Sequence, residues 1–302
     1  MVYSVSGLVA SPKTSTFEIT NGAARTVEFT TAPVAIGAGI SYGTFVSNTQ
    51  ASDAVPAIRV IDAANNVINS DPTAVGSEAV LTVRLVNTNG SAITDYATGV
   101  TSANLLSGTS VTTTNGVANL SALTIRAKSG NYKLIVSASV DGTDVLNSAE
   151  AAVTVRNGVL STATINDPTV KETIAARAAF TAQPVIVFRD AFGNAYTHRY
   201  DNAVDINGDK LYGTTSNGMS PMVSVKEPIG TTLINASFGN LSAGQITTTN
   251  MAIQAKALDQ EITFDVGAPL VGTTTLKKPW TITAGAPASL MLTQQPEGKN
   301  GL

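Results

Sequence analysis

Cysteine is absent from this 302-residue chain and histidine occurs once, at His198. That excludes disulfide staples between sheets. It also excludes zinc sites built on Cys and His, and Cys–His nucleophilic chemistry. A Ser–His–Asp triad would have to use His198, beside Arg199 in a polar stretch, and no Gly-x-Ser-x-Gly elbow accompanies it. The chain reads as non-enzymatic. Charge is also scarce, at 13% Asp, Glu, Lys and Arg with a net charge of −3 and no basic cluster; an average domain carries about 25%. Nucleic-acid binding needs a Lys/Arg footprint and is not expected. Aromatics are 5% and tryptophan is single, which leaves little for sugar-stacking platforms. No apolar run approaches the ~20 residues of a membrane span, and Met1–Gly7 has neither the basic nor the apolar region of a signal peptide.

What fills the chain instead is Thr, Ser, Asn, Gly and Ala, arranged as short alternating strands between Gly, Asn and Asp turns, the pattern of a sandwich or barrel. One stretch recurs three times: an alternating strand, a glycine at 22, 158 or 285, a second apolar–polar strand, and a proline at 33, 168 or 296. Its spacing suits one β-sandwich per repeat, somewhat longer than the ~100 residues of an immunoglobulin domain. Two further landmarks repeat in order. Pro56–Asp62 with Ala63–Asn66 matches Pro184–Asp190 with Ala191–Asn194, and Gly116–Ile125 matches Gly244–Ile253. We therefore expect an all-β chain of tandem immunoglobulin-like sandwiches. Residues 1–21 would be the terminal hairpin of a preceding unit, 22–157 and 158–284 two whole units, and 285–302 the first strand of a following unit, as in an excerpt of a longer protein. Helical signals are thin. Val170–Phe180 has helix-forming residues but sits where an edge connection belongs, so a short turn or irregular segment is expected there.

Three motifs carry this pattern: Asp62–Asn66, Asn115–Ile125 and Gly130–Val136; Asp190–Asn194 returns the first. Together they resemble the bacterial immunoglobulin-like repeats of the invasin/intimin type over about residues 22–284. The resemblance implies an extracellular, cell-surface structural module: an adhesin stalk, or a surface-layer or sheath subunit, acting as spacer and assembly element. Its partners would be neighbouring copies or flanking immunoglobulin-like domains, with host or cell-surface glycans as further candidates. A carbohydrate- or protein-binding adhesion module and a viral fibre or decoration protein are the alternatives.

Sites are sparse. Asp190-x-x-Gly193-Asn194 reads either as a type I turn closed by its aspartate or as a source of calcium ligands; Asp62 carries the same two readings. Asp205, Asn207 and Asp209 alternate around a glycine and form the densest oxygen-ligand stretch, the candidate calcium site, although no distal Glu completes an EF-hand. Glu28, Asp167 and Asp190 are candidates for a cation at the unit boundaries. Trp280 falls in a closing strand, where core or junction packing is expected rather than ligand binding.

Overall fold

The computed structural model describes residues 21–45, 54–68, 78–145, 147–166, 171–196, 223–226, 232–234, 237–238, 241–254, 259–266, 274–287 and 289–291. Over the described residues the chain is all-β, a tandem of immunoglobulin-like sandwiches, apart from one helical turn, α1 (Tyr42–Phe45).

The first eleven strands are β1 (Ala24–Thr31), β2 (Ala35–Gly37), β3 (Ala57–Asp62), β4 (Ala79–Asn87), β5 (Leu106–Ser107), β6 (Ser110–Thr112), β7 (Val117–Asn119), β8 (Thr124–Ile125), β9 (Gly130–Val140), β10 (Thr143–Asp144) and β11 (Ala149–Arg156). They form one sheet ordered β1-β3-β7 and a second ordered β2-β11-β9-β4-β6, with β10 paired to β9 and β5 to β8. Alternation builds the interior. In β4, Leu81, Val83 and Leu85 are buried while Val80, Thr82 and Arg84 face out. In β9 the inward set is Tyr132, Leu134, Val136 and Ala138. These meet Val27, Ile58 and Val60 of the facing sheet in one hydrophobic cluster.

The next ten strands repeat the plan: β12 (Leu160–Ile165), β13 (Glu172–Ala175), β14 (Val185–Asp190), β15 (Val223–Lys226), β16 (Thr232–Ile234), β17 (Ser237–Phe238), β18 (Gln245–Thr249), β19 (Ala252–Gln254), β20 (Asp259–Val266) and β21 (Thr274–Thr283). The sheets are β12-β14-β18-β17 and β13-β21-β20-β15, with β16 paired to β19. A second cluster, including Ile186, Phe188, Ile246, Phe264, Trp280 and Ile282, fills the space between them. In both repeats the first strand changes sheets. β1 and β12 run antiparallel to β3 and β14, and the chain then crosses so that β2 and β13 lie parallel to the closing strands β11 and β21. The register of β1 shifts between Ala24 and Thr26, and that of β12 between Leu160 and Thr162, a bulge at the same place after Gly22 and Gly158.

The stretch 170–180 departs from expectation. Glu172–Ala175 is a strand, paired in register with Trp280–Thr283. Its helix-forming residues are overruled because the open edge of β21 offers backbone partners that an isolated turn of helix would lack. Trp280 lies fully inside, its ring stacked on Phe180 at 4.8 Å and 10°. Lys278 is buried beside it, with Nζ 5.6 Å from the Trp280 ring, 2.9 Å from Glu172 Oε1 and donating to Asn166 O at 3.3 Å. The ammonium is tolerated there because an anion, a carbonyl and a π face all meet it.

Candidate inter-unit junction

Each repeat closes β3 or β14 with the same five-residue turn, Asp62–Asn66 or Asp190–Asn194. In the second, Asp190 Oδ1 accepts from the Phe192 N–H (2.9 Å) and the Asn194 N–H (2.8 Å). Its Oδ2 accepts from Asn194 Nδ2 (2.9 Å) and from the N–H of Gly158 (2.7 Å). The first turn has the same bonds: Ala64 N–H (2.8 Å) and Asn66 N–H (2.9 Å) to Asp62 Oδ1, and Asn66 Nδ2 (3.1 Å) and Gly22 N–H (2.7 Å) to Oδ2. The fourth position has positive φ in both, 64° at Asn65 and 80° at Gly193. Each carboxylate thus closes its own turn and clamps the glycine where the chain enters the unit. The surrounding groups are N–H donors, the set a carboxylate needs rather than the oxygens a calcium ion needs.

These donors act on the acid. The Gly22 N–H first, then the side chain and N–H of Asn66, bring Asp62 from 3.8 down to about 2. A folded value below the unfolded one gives stability that is present above about pH 4 and lost as pH falls toward 2. Thermal melts between pH 2 and 6 should show an acid limb in the first unit that flattens in Asp62→Asn; an unchanged limb would remove Asp62 from this role.

At the second turn the clamp continues into the first unit. Asn194, 7% exposed, accepts from the Ser129 N–H through Oδ1 (2.8 Å) and donates from Nδ2 to Ala127 O (3.2 Å). The Thr98 N–H donates to Phe192 O at 3.0 Å. The Tyr132 hydroxyl donates to Lys128 O at 2.9 Å, fixing the loop that carries Ala127 and Ser129. Burial, then the Asp95 carboxylate, raise that hydroxyl above its usual pKa. Apolar contacts interlock as well: Phe192 packs against the first unit's cluster and Ile40 against the second's. Glycines permit the approach, among them Gly39 and Gly158. A β-carbon on Gly39 would lie 2.3 Å from the Phe192 ring, and one on Gly158 would lie 2.2 Å from Ala38 O.

The calcium candidates Asp205, Asn207 and Asp209 lie outside the described residues, as do His198 and Asp167. Glu28 is paired with Arg59 across β1 and β3. Among the described residues, no group of three or more His, Cys, Asp or Glu side chains gathers to hold a metal, and no helix is long and apolar enough to cross a membrane. Sequence reasoning reached the two aspartate turns, Asn194 among them, and the glycines, but not their bonds to each other, nor the contacts that Asn194 and Phe192 make across the junction with Thr98, Ala127 and Ser129. The available signal was Phe192 itself, a large apolar side chain at the tip of a polar turn.

No family model matches the chain, and no curated protein matches it. Among solved structures it is similar to Yersinia pseudotuberculosis InvD, with 17% identity over 89% of this chain and 60% of that one and a TM-score of 0.33. It is also similar to domains 4–9 of the surface layer protein SbsC, with 14% identity over 86% of this chain and 32% of that one and a TM-score of 0.23. Human CDH23 EC21-23 is a third, with 12% identity over 85% of this chain and 69% of that one and a TM-score of 0.39. The chain thus spans less than two thirds of the InvD and SbsC structures; the sandwich assignment stands on the strand pairing given above, in both repeats.

Proposed function

We propose that this chain is a structural, non-catalytic segment of an extracellular cell-surface protein, in which the sandwiches are spacers and the junction between them sets angle and reach. The observation that carries this is Asn194: one buried side chain bonded at once to its own turn and to the backbone of the other unit at Ala127 and Ser129. A linker meant only to tether would not bury a polar group between two bodies, because each unpaired donor or acceptor there costs about 1–3 kcal/mol. The surface suits the role. With 13% charged residues it can lie close to neighbours at little desolvation cost. These features support a surface-layer or adhesin-stalk setting.

Distance distributions between spin labels at exposed sites on the two units test the spacer. The native chain should give one narrow distribution. Phe192→Ala should broaden it, because the ring lies over Gly39 and packs against the first unit's core, while each unit still melts as a folded body. A native distribution as broad as that of a flexible linker would reject the reading.

A further inference from the structure

The Asp62–Asn66 turn copies the docking turn Asp190–Asn194 bond for bond, yet Ala63, Ala64, Asn65 and Asn66 are all exposed. At the other end of the molecule, the corner that receives the docking turn is also repeated. In the first unit the Ala38 N–H donates to Arg156 O, the Gly39 N–H to Ile125 O and the Ile40 N–H to Gly37 O. In the second unit the Ala176 N–H donates to Thr283 O, the Arg177 N–H to Ile253 O and the Ala178 N–H to Ala175 O. The middle residue has φ of 74° at Gly39 and 69° at Arg177. Arg177 and Ala178 are exposed. Among the described residues, the Asp62–Asn66 turn and the Ala176–Ala178 corner each lack the counterpart that the internal contact has.

Their side chains match by size. Inside the molecule a large residue on the turn, Phe192, meets a residue with no side chain, Gly39. At the two ends the sizes are exchanged: the turn carries Ala64 where the other has Phe192, and the seat carries Arg177 where the other has Gly39. A phenyl ring on the turn would collide with Arg177, which is held across the corner by donating to Gln254 Oε1 at 3.2 Å. An alanine leaves that space to the guanidinium. We infer that the Asp62–Asn66 turn of one copy docks on the Ala176–Ala178 corner of a second copy. Asn66 then takes the place of Asn194, with its amide bridging to the second copy's backbone. Ala64 and Arg177 serve as the small-and-large pair that distinguishes this contact from the internal one. Turn and seat are different patches at opposite ends, so the contact is heterologous and does not close on a dimer; it propagates head to tail.

This goes beyond the proposed spacer role. The spacer is measured within one chain, and this contact between chains, so either can fail without the other. Sedimentation velocity of the whole chain from micromolar to ~1 mM, the weakest contact worth ~4 kcal/mol, should show mass rising with concentration and no plateau at a dimer. Ala64→Phe should weaken association at least tenfold with unchanged melting. Ala64→Phe combined with Arg177→Gly, which recreates the internal pairing, should restore it. Leu290 and Met291, 96% and 79% exposed, offer a competing apolar route, and Leu290→Ser with Met291→Ser should leave association in place. A native chain that stays monomeric throughout, association indifferent to Ala64→Phe, or association lost with Leu290 and Met291 would each overturn the inference.

Discussion

Replacing Asp190 with alanine is expected to destabilise the second unit by about 3–5 kcal/mol and to loosen the junction with it. Four donors lose their acceptor: the backbone N–H groups of Gly158, Phe192 and Asn194, and Asn194 Nδ2. Gly158 and Asn194 are buried, so water reaches them only if the turn opens. Bonds to a charged acceptor are worth about 1.5–3 kcal/mol each, and part of that total returns as the turn relaxes. The junction loosens because Asn194 Nδ2 is held between Asp190 Oδ2 and Ala127 O; without the carboxylate the amide is free to rotate away from Ser129. Asp190→Asn should fall between the two states, since it keeps an acceptor for Phe192 and Asn194 but turns an amino group toward the Gly158 N–H. The sole tryptophan, Trp280, lies in the second unit's core, so urea unfolding followed by its fluorescence reads this unit. A loss below about 1 kcal/mol in Asp190→Ala would show that the carboxylate is not the clamp.

Trp280→Ala should cost a similar amount, about 3–5 kcal/mol, by a different route. The indole is fully buried between the sheets, stacked on Phe180 and beneath Lys278. Truncation leaves a cavity that β21 cannot close, because its backbone is fixed on one side by Glu172–Ala175 and on the other by Asp259–Val266. It also removes the π face from a buried ammonium. Calorimetry should show the second unit's transition lowered by roughly 10–20 °C, from the size scaling of domain melting, with the first unit's transition in place. Trp280→Phe, which keeps a ring on Phe180, should recover most of the loss. A first-unit transition that falls equally would mean that the two cores melt as one.

The fold was legible where strands are half-buried. Val80–Leu85 alternates cleanly because one face meets the core and the other water, and the repeated landmarks carried that reading into the second unit. It was not legible where a strand is defined by its partner. Glu172–Ala175 has no strand pattern of its own and exists through the parallel edge of β21. The junction was half visible. Asp62 and Asp190 announced turns through local chemistry, since an aspartate two and four residues before free N–H groups caps them. Their bonds to Gly22 and Gly158 span 40 and 32 residues, with no common spacing to mark them. The exchange of Phe192 and Gly39 for Ala64 and Arg177 acquires meaning only when turn and seat are superposed in three dimensions.

The crossing of the first strand between sheets has a mechanical consequence. Tension applied along the chain pulls β2 and β13 toward their N-terminal ends and β11 and β21 toward their C-terminal ends. Because each pair is parallel, the load runs along the strands and strains every rung of the ladder together, instead of peeling one at a time as in a hairpin opened from its end. The pair β13–β21 has four matched positions and the Glu172–Lys278 ion pair across it, whereas β2–β11 has three. The first unit's ladder is extended at both ends, by the Thr154 N–H to Val34 O and the Ala38 N–H to Arg156 O, so under a common pull both units resist by shear.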